Sequence, residues 1–309
     1  MQLGVFKKEL ILMGNQFEIT VVASNAEWAH ERIDEAVNEI RRIEDLLSTF
    51  KEDSETNFIN DNAGIQPVKV SDEVYSLIER SIRISSITQG SFDISYGSID
   101  KRLWNFDKTM TSLPSRAMAK KMVRLINYKN IILDQINKTV FLKEKGMRIG
   151  FGGIGKGYAA EMAKAIMKKN GVDSGIVNAS GDLTAWGHQP DGSPWTIGIV
   201  HPDLASQPFS YMNISDGAVA TSGNYEKFVT IDGKKYSHTI DPKTGLPVTG
   251  IKSVTVISPN AEICDALATP VTILGIKNGI DLINQLKNVE CIIIDDDNRL
   301  YKSKNIHLS

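Results

Sequence analysis

Apolar residues in this chain follow two periods that keep changing places, and this limits the folds open to it. Between Gln16 and Ala23 the run FEITVVA is rich in β-branched residues and reads as a strand. Directly after it, Asn25 is placed to cap a long helix whose apolar residues, Ile33, Ala36, Val37, Ile40, Ile43, Leu46 and Leu47, recur at helical spacing as far as Ser48-Thr49-Phe50. A polar loop with Ser54, Asn57 and Asn60 follows. Asp72 is then expected to cap a second helix, with Val74, Leu77, Ile78 and Ile82 on one face, ending near Gln89-Gly90. Residues 91–107 (SFDISYGSIDKRLWNFD) are aperiodic and aromatic and read as a functional loop, and residues 130–143 read as a hairpin. After a glycine-rich turn, a helix carries Ile154, Tyr158, Met162, Ile166 and Met167 and stops at Asn170-Gly171. The rest alternates strands (SGIVNAS, WTIGIV, FSYMNIS, KSVTVIS, ECIIIDDD) with helices near 261–274 and 277–286. Strands and helices interleave without strict βαβ order, which predicts an α+β fold with mixed β-sheets and flanking helices. No internal repeat or linker divides the 309 residues, so one domain over 1–309 is expected.

Composition removes several function classes. The formal net charge is -2 and no basic arm or stripe stands out, which argues against non-specific nucleic-acid binding. Cys264 and Cys291 are far apart and lack metal-type spacing, so two buried reduced thiols are expected. The first twenty residues contain no apolar core of signal-peptide length, and no run approaches the roughly 20 apolar residues of a transmembrane helix. As written, the chain is expected to be cytoplasmic; an exported or lipid-anchored form would require a leader removed from it.

Three constellations carry chemistry. Gly150-Phe151-Gly152-Gly153-Ile154-Gly155-Lys156-Gly157 opens a helix, where glycines allow close backbone approach, amides attract anions and Lys156 adds a positive charge suited to phosphate. It is not a Walker loop, since glycine follows Lys156. His238 sits among β-type residues just before the turn Asp241-Pro242-Lys243-Thr244-Gly245, and imidazole is the natural general base near neutral pH. Asp265 and Thr269 lie four apart on one helix, presenting a carboxylate and a hydroxyl on one face, hard oxygen donors that suit Mg²⁺. Each also has a purely structural reading: a packing turn, a satisfied histidine, and a hydrogen bond along a helix face. Together they are the parts for metal-assisted attack at phosphorus.

The chain resembles the ApbE family, the FAD:protein FMN transferases, along nearly its whole length. The resemblance rests on MGNQFEIT, LLSTFKEDSETNFIN, TQGSFDISYG followed by LWNF, GGIGKGYAAE, NASGDL with a later WTIGIVHP, ATSGNYEKF, YSHTIDPKTGLPV and DALATP, in the family's order. It implies a two-lobed fold with FAD in the cleft between the lobes. Met13 would pack near the flavin and Phe50 would stack on a flavin or adenine face, while Ser91, Phe92 and Asp93 would line the FAD site. Lys156 would contact FAD by its side chain and Thr239 by its backbone. Asp265 and Thr269, with backbone carbonyls at Gly153 and Ala268, would hold Mg²⁺, and His238 would activate the acceptor hydroxyl. Gly150 replaces an aspartate that many members carry, so only backbone can serve FAD there. Ala268 replaces a second aspartate of some members, which predicts a more hydrated metal. The implied reaction attaches FMN from FAD to a Thr or Ser of an acceptor flavoprotein and releases AMP. Hydrolysis of FAD to FMN and AMP, and FAD binding without chemistry, are the alternatives.

Overall fold

FEITVVA does form a strand, Asn15–Ala23, and it lies second in an eight-stranded sheet. The computed structural model describes residues 2–201, 204–223 and 228–306. Across the sheet the strands run Gly4–Leu12, Asn15–Ala23, Gly175–Ala179, Asp182–Trp186, Asp216–Gly223, Ile251–Ser258, Glu290–Asp295 and Leu300–Lys302. Every neighbouring pair in it is antiparallel. The α+β class therefore stands, but the expected mixed sheets are corrected: the pairing is antiparallel throughout, because the connections, long ones included, return each strand against its neighbour rather than parallel to it.

Side-chain alternation gives the sheet two different faces. Val22, Leu183, Ala185 and Val219 pack with Trp195, Ile197 and Ile214 of the hairpin Trp195–His201/Leu204–Ile214. Their neighbours Val21, Trp186, Ala218 and Ala220 belong to the main core on the other face, which helices cover. The helices are α1 (Ala26–Leu47), α2 (Glu55–Asp61), α3 (Asp72–Ile87), α4 (Arg116–Met122), α5 (Gly155–Lys169) and α6 (Ala261–Ile283), and all but α4, whose Met122 joins a separate small cluster, contribute to this core. In α1, Asn25 caps the amide of Trp28, and Ile33, Ile40 and Ile43 are wholly buried, each worth roughly 2 kcal/mol.

Several boundaries moved for local reasons. Ser71, not Asp72, caps α3 through its hydroxyl to the Val74 amide. The expected polar loop at 54–60 is partly α2, because Ser54 caps it and its buried polar residues find partners: Asn60 bonds the backbone of Ile149 in both directions. Both cysteines are buried and free, as expected. By length and composition α6 is apolar enough to cross a membrane, contrary to the reading that no run approaches that length. It packs instead on the sheet and α5, and Gly275 (φ 80°) breaks it, which is why the sequence reads as two helices.

The contact between α5 and α6 positions the site. A Cβ on Gly157 would lie 2.2 Å from the Ala261 carbonyl oxygen and 2.8 Å from Asp265 Cβ. The Glu161 carboxylate of α5 accepts the Ala261 amide at 2.8 Å, and Arg80 of α3 pairs with Glu262 through two bonds of 2.7 and 3.0 Å. Gly157→Ala is expected to cost about 3 kcal/mol, since backbone must move, whereas Gly152→Ala in the same turn, with nothing within 4 Å, should leave the urea midpoint unchanged. Equal midpoints for the two variants would remove the close-approach argument.

Candidate active site

Asp182, Thr184 and Trp186 point to the helical face of their strand, opposite Leu183 and Ala185, and this alternation aims Asp182 at α5. Lys156 Nζ meets Asp182 Oδ2 at 2.5 Å. On the Asp216–Gly223 strand, Ser222 continues the helix-facing series of Ala218 and Ala220, and Thr269 Oγ1 of α6 lies 3.4 Å from its hydroxyl. One turn earlier on α6, Asp265 Oδ2 accepts the Gly157 amide at 2.9 Å. The residue preceding α5, Ile154, has no side chain able to cap it. A carboxylate from a different helix therefore does the capping. The expectation that these helix-opening amides face a phosphate is corrected: Gly157 donates to Asp265, while Gly155 and Tyr158 donate to the Phe151 and Ile154 carbonyls.

Two buried carboxylates here share one ammonium. Burial above all, and then the neighbouring charge of Asp182, push Asp265 from its ordinary 3.8 up to about 7, while Lys156 and the Gly157 amide pull the other way. Burial also raises Asp182, against the pull of Lys156 and the Thr221 amide. Burial opposes the Lys156 charge, yet the two aspartates lift it above the usual lysine value. In metal-free protein, a native Asp265 that keeps its proton up to about 7 binds more protons than the unfolded chain from about pH 4 upward. Stability from this group therefore falls as pH rises across that window. Urea midpoints in EDTA at pH 5 and 7.5 should drop more for wild type than for Asp265→Asn; parallel drops would refute the assignment.

These groups form the polar end of a cleft of about 580 Å³. Phe92, Ile94, Tyr96 and Ile240 give it an apolar wall, and Gly150, Gly152 and Gly153 supply its glycine edge. A larger cavity, about 790 Å³ beside Trp28 and His188, has no such paired charges in its lining. The hairpin Phe228–Ile231/Lys234–Ser237 delivers His238 to the cleft. There the imidazole is solvent-exposed and meets the Phe106 ring edge-on at 6.4 Å. The following turn is tied by Asp241, which accepts from the Lys243 amide and the Thr244 hydroxyl. Gly245 (φ 72°) closes it against α4, where a side chain would lie 2.2 Å from the Ala119 carbonyl oxygen.

Of the residues singled out from sequence, Ser91, Phe92, Asp93, Gly150, Gly153, Lys156, His238, Thr239, Asp265, Ala268 and Thr269 all line this one cleft. Two do not. Met13 packs beside Gly155 at the start of α5, and Phe50, next to the wall residue Thr49, has a ring 96% exposed. Asp93 has both oxygens engaged, one by the Ser95 amide and hydroxyl and the other by the Tyr128 amide, so it braces the loop. The Ala268 carbonyl already accepts the Thr272 hydroxyl at 3.1 Å. Asp182 was missed as a site residue, although it sits in the NASGDL segment; the period-2 alternation of DLTAW was the signal that could have found it. Asn224, Tyr225, Glu226 and Lys227 of the ATSGNYEKF segment, and Pro202 of WTIGIVHP, lie outside the described residues.

The donor set fits a hard divalent cation. Asp265, Asp182 and the Thr269 hydroxyl are all oxygen donors, and a divalent cation would replace the proton that Asp265 otherwise holds in this buried place. Among the described residues no group of three or more His, Cys, Asp or Glu forms a metal cage. The two carboxylates and one hydroxyl are a donor set of the kind that holds Mg²⁺, which completes its shell with water and phosphate.

Fold and cleft together define an α+β protein that carries a carboxylate-and-lysine pocket on the helical face of an antiparallel sheet. The ApbE family model matches residues 13–293. The chain belongs to the ApbE family. It is 31% identical to a FAD:protein FMN transferase of Klebsiella pneumoniae over 82% of this chain and 79% of that protein. It is 28% identical to one from Treponema pallidum, over 97% and 87% respectively. Among solved structures, the ApbE protein of Thermotoga maritima superposes with a TM-score of 0.86 at 29% identity, covering 97% of each chain. The apo flavinyl transferase ApbE of Pseudomonas stutzeri gives 0.85 at 25%, covering 98% and 96%.

Proposed function

We propose that this chain is an FAD:protein FMN transferase. It cleaves the FAD diphosphate and joins FMN through a phosphoester to a threonine or serine of an acceptor flavoprotein. The observation that carries this reading is the convergence in one cleft of Lys156, Asp182, Asp265, Thr269 and His238, drawn from four separate segments. FAD is a diphosphate between two planar rings, and the cleft pairs a polar end with an apolar wall. The relatives named above carry the same activity in their names.

Asp265 and Thr269, with Asp182 and the Gly153 carbonyl nearby, are the residues that would hold Mg²⁺. When bound, the ion neutralises charge on the diphosphate oxygens. Lys156 supplies a second positive charge to the same oxygens once Asp182 shares it. His238 accepts the acceptor's hydroxyl proton. The hydroxyl oxygen then forms a bond to the FMN-side phosphorus, the P–O–P link breaks, and AMP leaves with the electron pair. Phe92 and Tyr96 exclude water from one side of the cleft.

The exposure of His238 favours a second reading, in which water replaces the hydroxyl and the products are free FMN and AMP. Mass spectrometry of a candidate acceptor after incubation with FAD and Mg²⁺ separates the two. An added FMN supports transfer, and free FMN with an unlabelled acceptor supports hydrolysis. Intact FAD would leave only a binding protein.

A further inference from the structure

A second cavity, of about 650 Å³, adjoins the cleft and shares Asp93 as a wall. Four cations line it: Lys120 from the last turn of α4, Arg124 just beyond it, Lys129 from the 3-10 turn Tyr128–Asn130, and Lys243 from the turn after His238. Among the described residues none of the four is in an ion pair, although Lys129 lies 6.0 Å over the Tyr128 ring. Among the described residues the only carboxylate in the lining is Asp93, whose oxygens are already engaged by Ser95 and Tyr128. From Lys108 to Leu133 the sequence has six cations and no acidic residue, in a chain whose net charge is -2. The concentration of charge in the pocket is thus local, and folding completes it by bringing Lys243 across Gly90, its Cε 3.9 Å from where a Cβ there would lie.

Packing contacts join this pocket to the catalytic cleft. Ile240, two residues after His238, is buried with Met122 and Val123 of the α4 segment, and Gly245 abuts Ala119. The turn after His238 is thus packed on the α4 segment that carries Lys120 and Arg124.

We propose that the pocket docks an acidic segment of the acceptor protein and so presents the neighbouring hydroxyl to His238. The proposal rests on the transferase reading above. A single-stranded nucleic acid would need a long groove that tracks phosphates, and a flat anionic membrane would touch only the rim of a concave site. A short acidic peptide segment fits both the concavity and the charge.

The test uses two fluorescein-labelled peptides of equal length around one serine, one rich in Asp and Glu and the other with those residues replaced by Asn and Gln. Anisotropy at low salt is expected to show the acidic peptide binding wild type at least about tenfold more tightly, with most of that preference lost near 0.3 M NaCl. Lys129→Glu/Lys243→Glu should lose the preference and leave FAD cleavage unchanged, which also shows that the variant is folded. Equal binding of the two peptides, or an unaltered preference in the double variant, overturns the proposal. So does variant-sensitive binding to anionic phospholipid vesicles without peptide discrimination. If wild type given FAD, Mg²⁺ and a folded acceptor flavoprotein forms no FMN adduct, the transferase reading falls instead, whatever the peptides show.

Discussion

Asp265→Asn is expected to lower FAD cleavage about a thousandfold, equivalent to ~4 kcal/mol of transition-state stabilisation, while the protein stays folded. Asparagine keeps an oxygen for the Gly157 amide, now accepted at 2.9 Å, so the cap on α5 survives. What disappears is the charge that pairs with a cation and with Lys156. Asp265→Ala should lose turnover equally and stability as well, because the α5 amide is then buried without an acceptor. FAD should still bind both variants, since the apolar wall does not use this carboxylate. Single-turnover cleavage, thermal melting and FAD titration on the two variants make the check. Near wild-type cleavage by Asp265→Asn would sink the metal assignment, and a collapsed fold in that variant would mean the charge is structural.

His238→Ala should reduce FMN transfer by about a hundredfold to ten-thousandfold, the usual range for a general base, and change FAD affinity little. The reason is positional: the imidazole is exposed at the cleft and meets the Phe106 edge, whereas Asp182 and Asp265 are buried. Because it is exposed, added imidazole should restore part of the lost rate, and the restored rate should follow the fraction of imidazole that is unprotonated. A transfer rate unchanged by the substitution would reject its role as base. A variant that lost FAD binding and transfer together would make His238 a binding group.

The helix periods, the Asn25 cap and the hairpin at 130–143 were readable because they depend on contacts a few residues apart. The first strand, Gly4–Leu12, was not. It is an edge strand in which only Leu12 is buried, so it carries no clean alternation, and Lys7 and Lys8 blunt its edge. Most of the site was legible only through resemblance, because its residues lie far apart and each has an ordinary local reading. Phe50 shows the limit of that route: the position matches, yet the ring stands away from the cleft wall.

By itself the sequence determined the alternation of strand and helix, the α+β class, and which short segments carry chemistry. Those properties follow from backbone preference and spacing within one element. The tertiary structure decided that Asp265 caps a helix other than its own, that Asp182 faces Lys156, and that four cations from three segments meet beside His238. Burial and electrostatics act through space, so the proton affinity of Asp265 exists only once two helices have closed on a glycine that leaves them room.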